Sequence, residues 1–134
     1  MAYTTCVRVR FGDEDHAQIV YYPRFFNFFH IAFEDFFNDQ GLPYQQVLDQ
    51  GGVGFPTVHL ETDFKKTLRF GDVFEIEVAV EKIGRSSAVF HYRGRKDGEL
   101  AAEARMTVVC VDMKTWKPVP IPDTIRALFE KNRG

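Results

Sequence analysis

Cysteine is nearly absent from this chain, with Cys6 and Cys110 standing alone and far apart. They match neither zinc-ligand spacing nor a Cys-x-x-Cys redox pair, which removes a thiolate metal site and a dithiol catalyst from consideration. A single disulfide between them stays open. Two reduced thiols in strands fit a cytoplasmic protein better. No dense Lys/Arg block occurs and the formal net charge is −2, so nothing points to a nucleic-acid partner. No apolar run approaches the roughly 20 residues of a membrane span. Met1, Ala2, Tyr3 and Thr4 open the chain without the basic and apolar regions of a signal peptide. The expectation is a soluble cytoplasmic protein with no membrane contact. Internal repeats, low-complexity tracts and linkers are also missing. The 134 residues therefore suggest one domain, 1–134, long enough to bury a core without disulfide or metal staples.

What is present is aromatic, and unevenly placed. Most of the 14 phenylalanines crowd between Phe11 and Gln40, where FGDEDHAQIVYYPRFFNFFHIAFEDFFNDQ joins an acidic cluster to an aromatic run. Pro23 suits the first turn of a helix, where its missing N–H costs nothing. At about 100° per residue, Phe25, Phe26, Phe28, Phe29, Ala32, Phe33, Phe36 and Phe37 cover roughly half of the circumference. Asn27, Ile31, Glu34, Asp35 and Asn38 fall on the other side. So wide an aromatic face predicts a helix wrapped by a curved sheet. Gly41 and Pro43 end it.

The remaining chain reads mostly as strands. Tyr3 to Phe11 alternates with Thr5, Val7, Val9 and Phe11 on one side, a period of two. Tyr44 to Gln50 is predicted as a short second helix. Thr57 to Leu68, Val73 to Ile83, Ser87 to Arg95 and Leu100 to Asp112 are strand-like, with Gly-containing breaks at RFGD, IGRS and KDGE. In the second of these, Phe74, Ile76, Val78 and Val80 alternate with Glu75, Glu77, Ala79 and Glu81, giving one polar face. Pro122 opens a last short helix carrying Ile125, Leu128 and Phe129. The predicted class is α+β, with a mostly antiparallel five-stranded sheet.

Asp13, Glu14, Asp15 and His16 are the chemically suggestive group. On residue types alone they form either a solvated turn after a strand or part of a site. A metal reading is disfavoured because no second acid/His pair recurs at helical spacing. The catalytic alternative has a physical basis. A carboxylate beside a helix N-terminus can attack a carbonyl, or activate water against it, while free N–H groups of the first turn hold the carbonyl oxygen.

FGDEDHAQIVYYPRFF, QGLP, GGVGFP and LRFGDVFEIEVAVEKIGRSS together resemble hotdog-fold acyl-CoA thioesterases, most closely the 4-hydroxybenzoyl-CoA thioesterase type. That resemblance implies a curved antiparallel sheet around a long central helix, and an acyl-CoA substrate hydrolysed with water and no cofactor or metal. It assigns the catalytic carboxylate, as nucleophile or general base, to Asp15. The thioester carbonyl would point at Tyr22 and Arg24, since Pro23 cannot donate. It further implies a homodimer or homotetramer with sites at subunit boundaries. His30 takes the place of a helix acid that contacts the ring hydroxyl in the hydroxybenzoyl type, and His59 would line the pocket across an interface. Arg85 and Ser86 match part of a basic hairpin that binds the coenzyme A phosphates, with Lys65, Lys66 and Arg69 as further candidates. Gln18 stands where the family carries glycine, so that turn is expected not to use a glycine-only conformation, and its side chain is a pocket candidate. Glu34 is a rival acid, because another branch of the fold draws its carboxylate from the central helix. The acyl group, aromatic or aliphatic, is open. Two other readings remain: a non-catalytic acyl-thioester-binding module, and a hydratase, whose acid and histidine spacing Asp15 and His16 do not reproduce.

Overall fold

The computed structural model describes residues 2–134. Its main sheet uses β1 (Tyr3–Arg8), β3 (Thr57–Phe64), β4 (Val73–Ile83), β5 (Ser87–Lys96) and β6 (Glu99–Val109). The strand order is β1-β4-β5-β6-β3, and every neighbour is antiparallel. The predicted α+β class and hotdog arrangement are thus observed, with α1 (Arg24–Asn38) against the concave face. A short α2 (Tyr44–Asp49) and a two-stranded ribbon of β2 (Val53–Gly54) and β7 (Val111–Asp112) follow the same end of the sheet. The last helix, α3 (Asp123–Lys131), begins after Pro122 and buries Ile125, Leu128 and Phe129, as the sequence pattern requires.

Helix α1 buries Phe25, Phe28, Phe29, Ala32, Phe33, Phe36 and Phe37. Each such phenylalanine contributes about 1.5–3 kcal/mol of transfer free energy, which outweighs the modest helix propensity of aromatic residues. Their partners come from alternate residues of the central strands. Phe74 meets Phe25, Phe28 and Phe29 edge-on or tilted, Tyr92 lies against Phe29, and Phe90 packs on Phe33 and Phe36. The opposite face of the sheet is charged, with Arg93–Glu77, Arg105–Glu81 and His91–Glu103 pairs crossing between strands.

Three boundaries differ from the sequence reading. The first strand stops at Arg8 rather than Phe11, because Phe11–Asp13 turns into one 3-10 turn that leaves Phe11 76% exposed. The second predicted strand stops at Phe64, where Lys65 and Lys66 both donate their N–H groups to the Ala101 carbonyl and leave the ladder. The fifth breaks at Cys110, and β7 turns away to pair with β2.

Gly94 has no counterpart in the pattern analysis. On β5 it lies opposite Ile76 and Ala102, beneath the ring of Phe74. A Cβ built there would sit 1.9 Å from Phe74 Cζ. The bare backbone is what lets that ring lie flat enough to reach three α1 phenylalanines. Gly94→Ala is expected to lower stability by about 1–3 kcal/mol, the usual cost of overpacking a filled core. Equilibrium denaturant unfolding checks this, and an unchanged midpoint would mean that Phe74 repacks freely.

Candidate active site

The acidic turn lies at one end of the sheet, between β1 and α1, and its three carboxylates do different jobs. Asp13 Oδ2 accepts the Arg10 N–H at 2.8 Å, and the Asp13 carbonyl accepts the Tyr21 N–H at 3.0 Å. Glu14 reaches out of the turn, where its Oε2 accepts the Phe70 N–H at 2.9 Å. Asp15 closes a tight loop on itself: its N–H donates to the Ile19 carbonyl at 2.9 Å, and its Oδ1 accepts the Ala17 N–H at 2.8 Å. Asp15 Oδ2 has no protein partner among the described residues, and the side chain is exposed. Each of the three acids thus accepts one backbone N–H on one oxygen, and Asp15 is the one whose side chain is exposed.

Gln18 supplies the left-handed residue of that loop at φ 65°. The expectation that a non-glycine residue would forgo this conformation is therefore corrected. The loop demands it, and the chain carries a penalty on the order of 1–2 kcal/mol to supply it. Its side chain is exposed.

The loop is stitched to the turn between β3 and β4. Val20 donates to Leu68 O at 2.8 Å, Gly71 to Val9 O at 3.0 Å, and Val9 to Asp72 O at 2.8 Å. The sequence reading found no repeat, yet the tetrapeptide RFGD occurs at 10–13 and again at 69–72. Both copies close with the same pair of Arg–Asp hydrogen bonds, although Gly71 takes φ 90° while the first copy is a 3-10 turn. In the second, Arg69 N–H donates to Asp72 Oδ2 at 2.8 Å and Asp72 N–H to Arg69 O at 3.0 Å, matching the first. The two turns sit side by side, with the Phe11 and Phe70 rings edge to face at 5.7 Å. This repeated tetrapeptide was the available signal for the Glu14 strap, which the sequence reading missed.

Helix α1 begins beside this loop. The Arg24 N–H donates to Tyr21 O at 2.8 Å, and the Phe25 and Phe26 N–H groups donate to Tyr22 O and Pro23 O. Tyr22 N–H has no acceptor among the described residues, so of the two amides expected to face a carbonyl it is the one left open. A groove of about 340 Å³ runs from here to the end of β3, walled by Ile19, Val20, Tyr22, Phe25 and Phe64, with Lys65 and Lys66 at its rim. Lys66 pairs with Glu99. Phe64, which sequence reasoning did not single out, closes the groove by meeting Tyr22 and Phe25 edge-on.

The other candidates lie elsewhere in the protomer. His30 borders a second groove of about 300 Å³, with Phe33, Tyr44, Met106 and Trp116. Its Nε2 meets Glu34 Oε2 at 2.8 Å, one helical turn away. The rival acid is thus engaged with the histidine. His59 pairs with Glu61 and, opposite Thr107 in the register, stands on the charged face away from α1. Arg85 and Ser86 occupy the β4–β5 turn, at the other end of the eleven-residue β4 from the acidic loop, roughly 30 Å away at strand rise. Their carbonyls dock the C-terminal segment, accepting from Ile121 and Cys110. Of the site residues expected from the sequence, Tyr22, Lys65 and Lys66 line the groove beside the Asp15 loop.

Comparison with known proteins gives this geometry its family. The model of the thioesterase-like superfamily matches residues 9–129, and the chain belongs to that superfamily. It is 29% identical over 119 residues to a 1,4-dihydroxy-2-naphthoyl-CoA hydrolase of Synechococcus elongatus, covering 88% of each chain. An acyl-CoA thioesterase of Haemophilus influenzae, YbgC, is 26% identical, over 92% of this chain and 90% of that one. The solved structure of a gentisyl-coenzyme A thioesterase superposes with a TM-score of 0.86 at 29% identity, over 92% of this chain and 99% of that one. The superfamily is what these matches define, rather than the 4-hydroxybenzoyl type within it. Among the described residues, no helix is long and apolar enough to cross a membrane.

The strap makes a structural prediction. Glu14→Ala is expected to cost about 1 kcal/mol of stability and to speed amide hydrogen exchange at Phe70. Glu14→Gln, whose amide oxygen still accepts, should preserve most of the protection. Equal exchange in both variants would mean that the carboxylate does not hold the turn.

Proposed function

We propose that this protein is an acyl-CoA thioesterase that releases free acid and coenzyme A, with Asp15 as its reacting carboxylate. The observation that carries the reading is the contrast among the three acids. Each accepts one backbone N–H, but Asp13 and Glu14 are half-buried and brace the turn against Arg10 and Phe70, whereas Asp15 is exposed and bonded only within its own loop, which closes on Ile19 at the wall of an aromatic groove. The start of α1 supplies the complementary charge. The open Tyr22 amide, reinforced by the helix dipole, would hold the thioester oxygen as negative charge develops on it. In the nucleophilic version, Asp15 adds to the carbonyl carbon, coenzyme A leaves as thiolate, and water hydrolyses the resulting anhydride. In the general-base version, Asp15 takes a proton from water, whose oxygen adds to the same carbon before the thiolate leaves. Both release one acid and one thiol per water consumed.

The acyl group is best matched by an aromatic one, such as a benzoyl-type group. Tyr22, Phe25 and Phe64 wall the groove, and two of the named relatives act on dihydroxynaphthoyl and gentisyl thioesters. The enzyme would be a cytoplasmic single domain assembled as a homodimer or homotetramer. Support for assembly comes from β3, an edge strand that leaves Val58 62%, Leu60 40% and Phe64 46% exposed. Long apolar edges are normally paired or covered. Antiparallel pairing of two β3 edges would carry the partner's Arg85 toward the Asp15 groove, with the partner's Ser86 beside it and both near the coenzyme's phosphates.

Asp15→Asn is expected to fold and assemble normally and to lower thiol release by at least about a hundredfold, as loss of a nucleophile or general base does. A thiol-trapping assay on benzoyl-, hydroxybenzoyl-, phenylacetyl- and straight-chain acyl-CoA measures it. Near-normal turnover would remove Asp15 from the mechanism.

A further inference from the structure

The loop that carries Asp15 is a small closed unit with an outgoing and a returning arm. Asp13 O accepts the Tyr21 N–H at 3.0 Å, the Asp15 N–H donates to Ile19 O at 2.9 Å, and Glu14 and Val20 face each other as an antiparallel bridge. A loop closed in this way keeps its shape, but it turns about whichever arm is held from outside. The returning arm is held by backbone: Val20 N–H donates to Leu68 O at 2.8 Å, and both residues are buried. The outgoing arm is held by a side chain. Among the described residues, the only hydrogen bond that leaves the loop between Arg10 and Asp15 runs from the Phe70 N–H to Glu14 Oε2, at 2.9 Å.

The donor at the far end is itself fixed. All four N–H groups of residues 69–72 are engaged: Arg69 with Asp72 Oδ2, Phe70 with Glu14, Gly71 with Val9 O and Asp72 with Arg69 O. Asp72 also meets Lys96, at the end of β5, at 2.9 Å. The chain just before this turn builds the groove, with Phe64, Lys65, Lys66 and Thr67 on one side and Ile19 and Val20 on another. Glu14 therefore links the arm that bears Asp15 to the segment that walls the groove. Side-chain length makes the link, since aspartate at this position would fall short by about 1.5 Å, one carbon–carbon bond.

We propose that Glu14 is a positioning residue for the reaction: by gripping the Phe70 amide it fixes Asp15 relative to the groove and the start of α1, without touching the substrate. This rests on the thioesterase reading, with Asp15 as the reacting carboxylate. Once the grip is lost, Val20 still anchors the groove wall, so binding is kept. The arm bearing Asp15 is then free to turn out of attack distance. Catalysis by a positioned group is sensitive to such shifts, and a misplacement of about 1 Å costs on the order of a hundredfold. The effect belongs in kcat rather than KM, and it depends on reach rather than charge.

Three variants separate reach from charge. Glu14→Ala removes the acceptor, Glu14→Asp keeps the charge and loses the reach, and Glu14→Gln keeps the reach and loses the charge. Thiol release from the acyl-CoA that the native enzyme turns over fastest is measured well below each variant's unfolding midpoint. The Ala and Asp variants are expected to lose about tenfold or more in kcat with KM moved less than about threefold, and the Gln variant to stay within about threefold of native. Adding Glu14→Ala to Asp15→Asn should lower the residual rate no further, because residues that act as one unit are not additive. A Gln variant as slow as Ala, an Asp variant as fast as native, or an Ala variant with unchanged kcat would overturn the proposal while leaving Asp15 in its role. An equal loss from Glu14→Ala with and without Asp15 would also overturn it, by assigning the strap to the fold at large. Undiminished turnover in Asp15→Asn, or no thiol release from any ester, would instead remove the reading on which the proposal rests.

Discussion

The burial of one aromatic face of α1 against the central strands is the constraint from which the rest of the structure follows. Seven side chains of that helix are buried, and no flat surface could cover so broad a face. The sheet must curve, and Gly94 must be bare so that the Phe74 ring can lie between helix and strands. Once the helix axis is fixed in this way, so is its first turn. The Tyr22 amide then has a defined position relative to whatever loop precedes it. Core packing and the geometry of the site are set by the same contacts.

A helix terminus alone does not make a site, and the loop that meets it is held from the other side. Four backbone or side-chain hydrogen bonds tie residues 9–20 to residues 68–72. That second segment belongs to the turn leading into β4, the strand whose Phe74 packs on α1. The acidic loop and the helix start are therefore referenced to one strand. Displacing either would require breaking the core or the paired RFGD turns. This explains how a loop with a left-handed glutamine is kept in place, since local strain persists only where its surroundings over-determine it.

Much of this was legible in the sequence because it is periodic or local. The 3.6-residue repeat of phenylalanine reported α1 and its buried face, Pro23 and Gly41 its ends, and alternation in 73–83 the strand. The family resemblance singled out Asp15 among three adjacent acids, but the strap that holds the turn through Glu14 is not local. Glu14 is occupied because Phe70, far along the chain, offers an N–H, and no window around Glu14 contains that residue. The same holds for Gly94, whose reason is a ring on another strand, and for Phe11, whose alternation pattern continued after the backbone had left the sheet. His59 and Arg85 show the limit from another direction. Their residue types suit a coenzyme site, yet which face or end of the sheet they occupy is decided by register and strand length, which composition does not carry.

The charges of the molecule support the same division of labour. On the outer face, Glu77, Glu81 and Glu103 meet Arg93, Arg105 and His91, and the last pair holds the Glu103 carboxyl below its usual range. At the end of the sheet near the loop, Asp72 is taken by Lys96 and Glu99 by Lys66. In a chain that pairs its acids so widely, the three adjacent acids of the loop accept one backbone N–H each, and the exposed one, Asp15, stands where a helix begins and an aromatic groove opens. An unpaired carboxylate oxygen on a surface is ordinary by itself. One held in a strained loop near a helix start, and braced by its own neighbours, is what the proposed reaction would require.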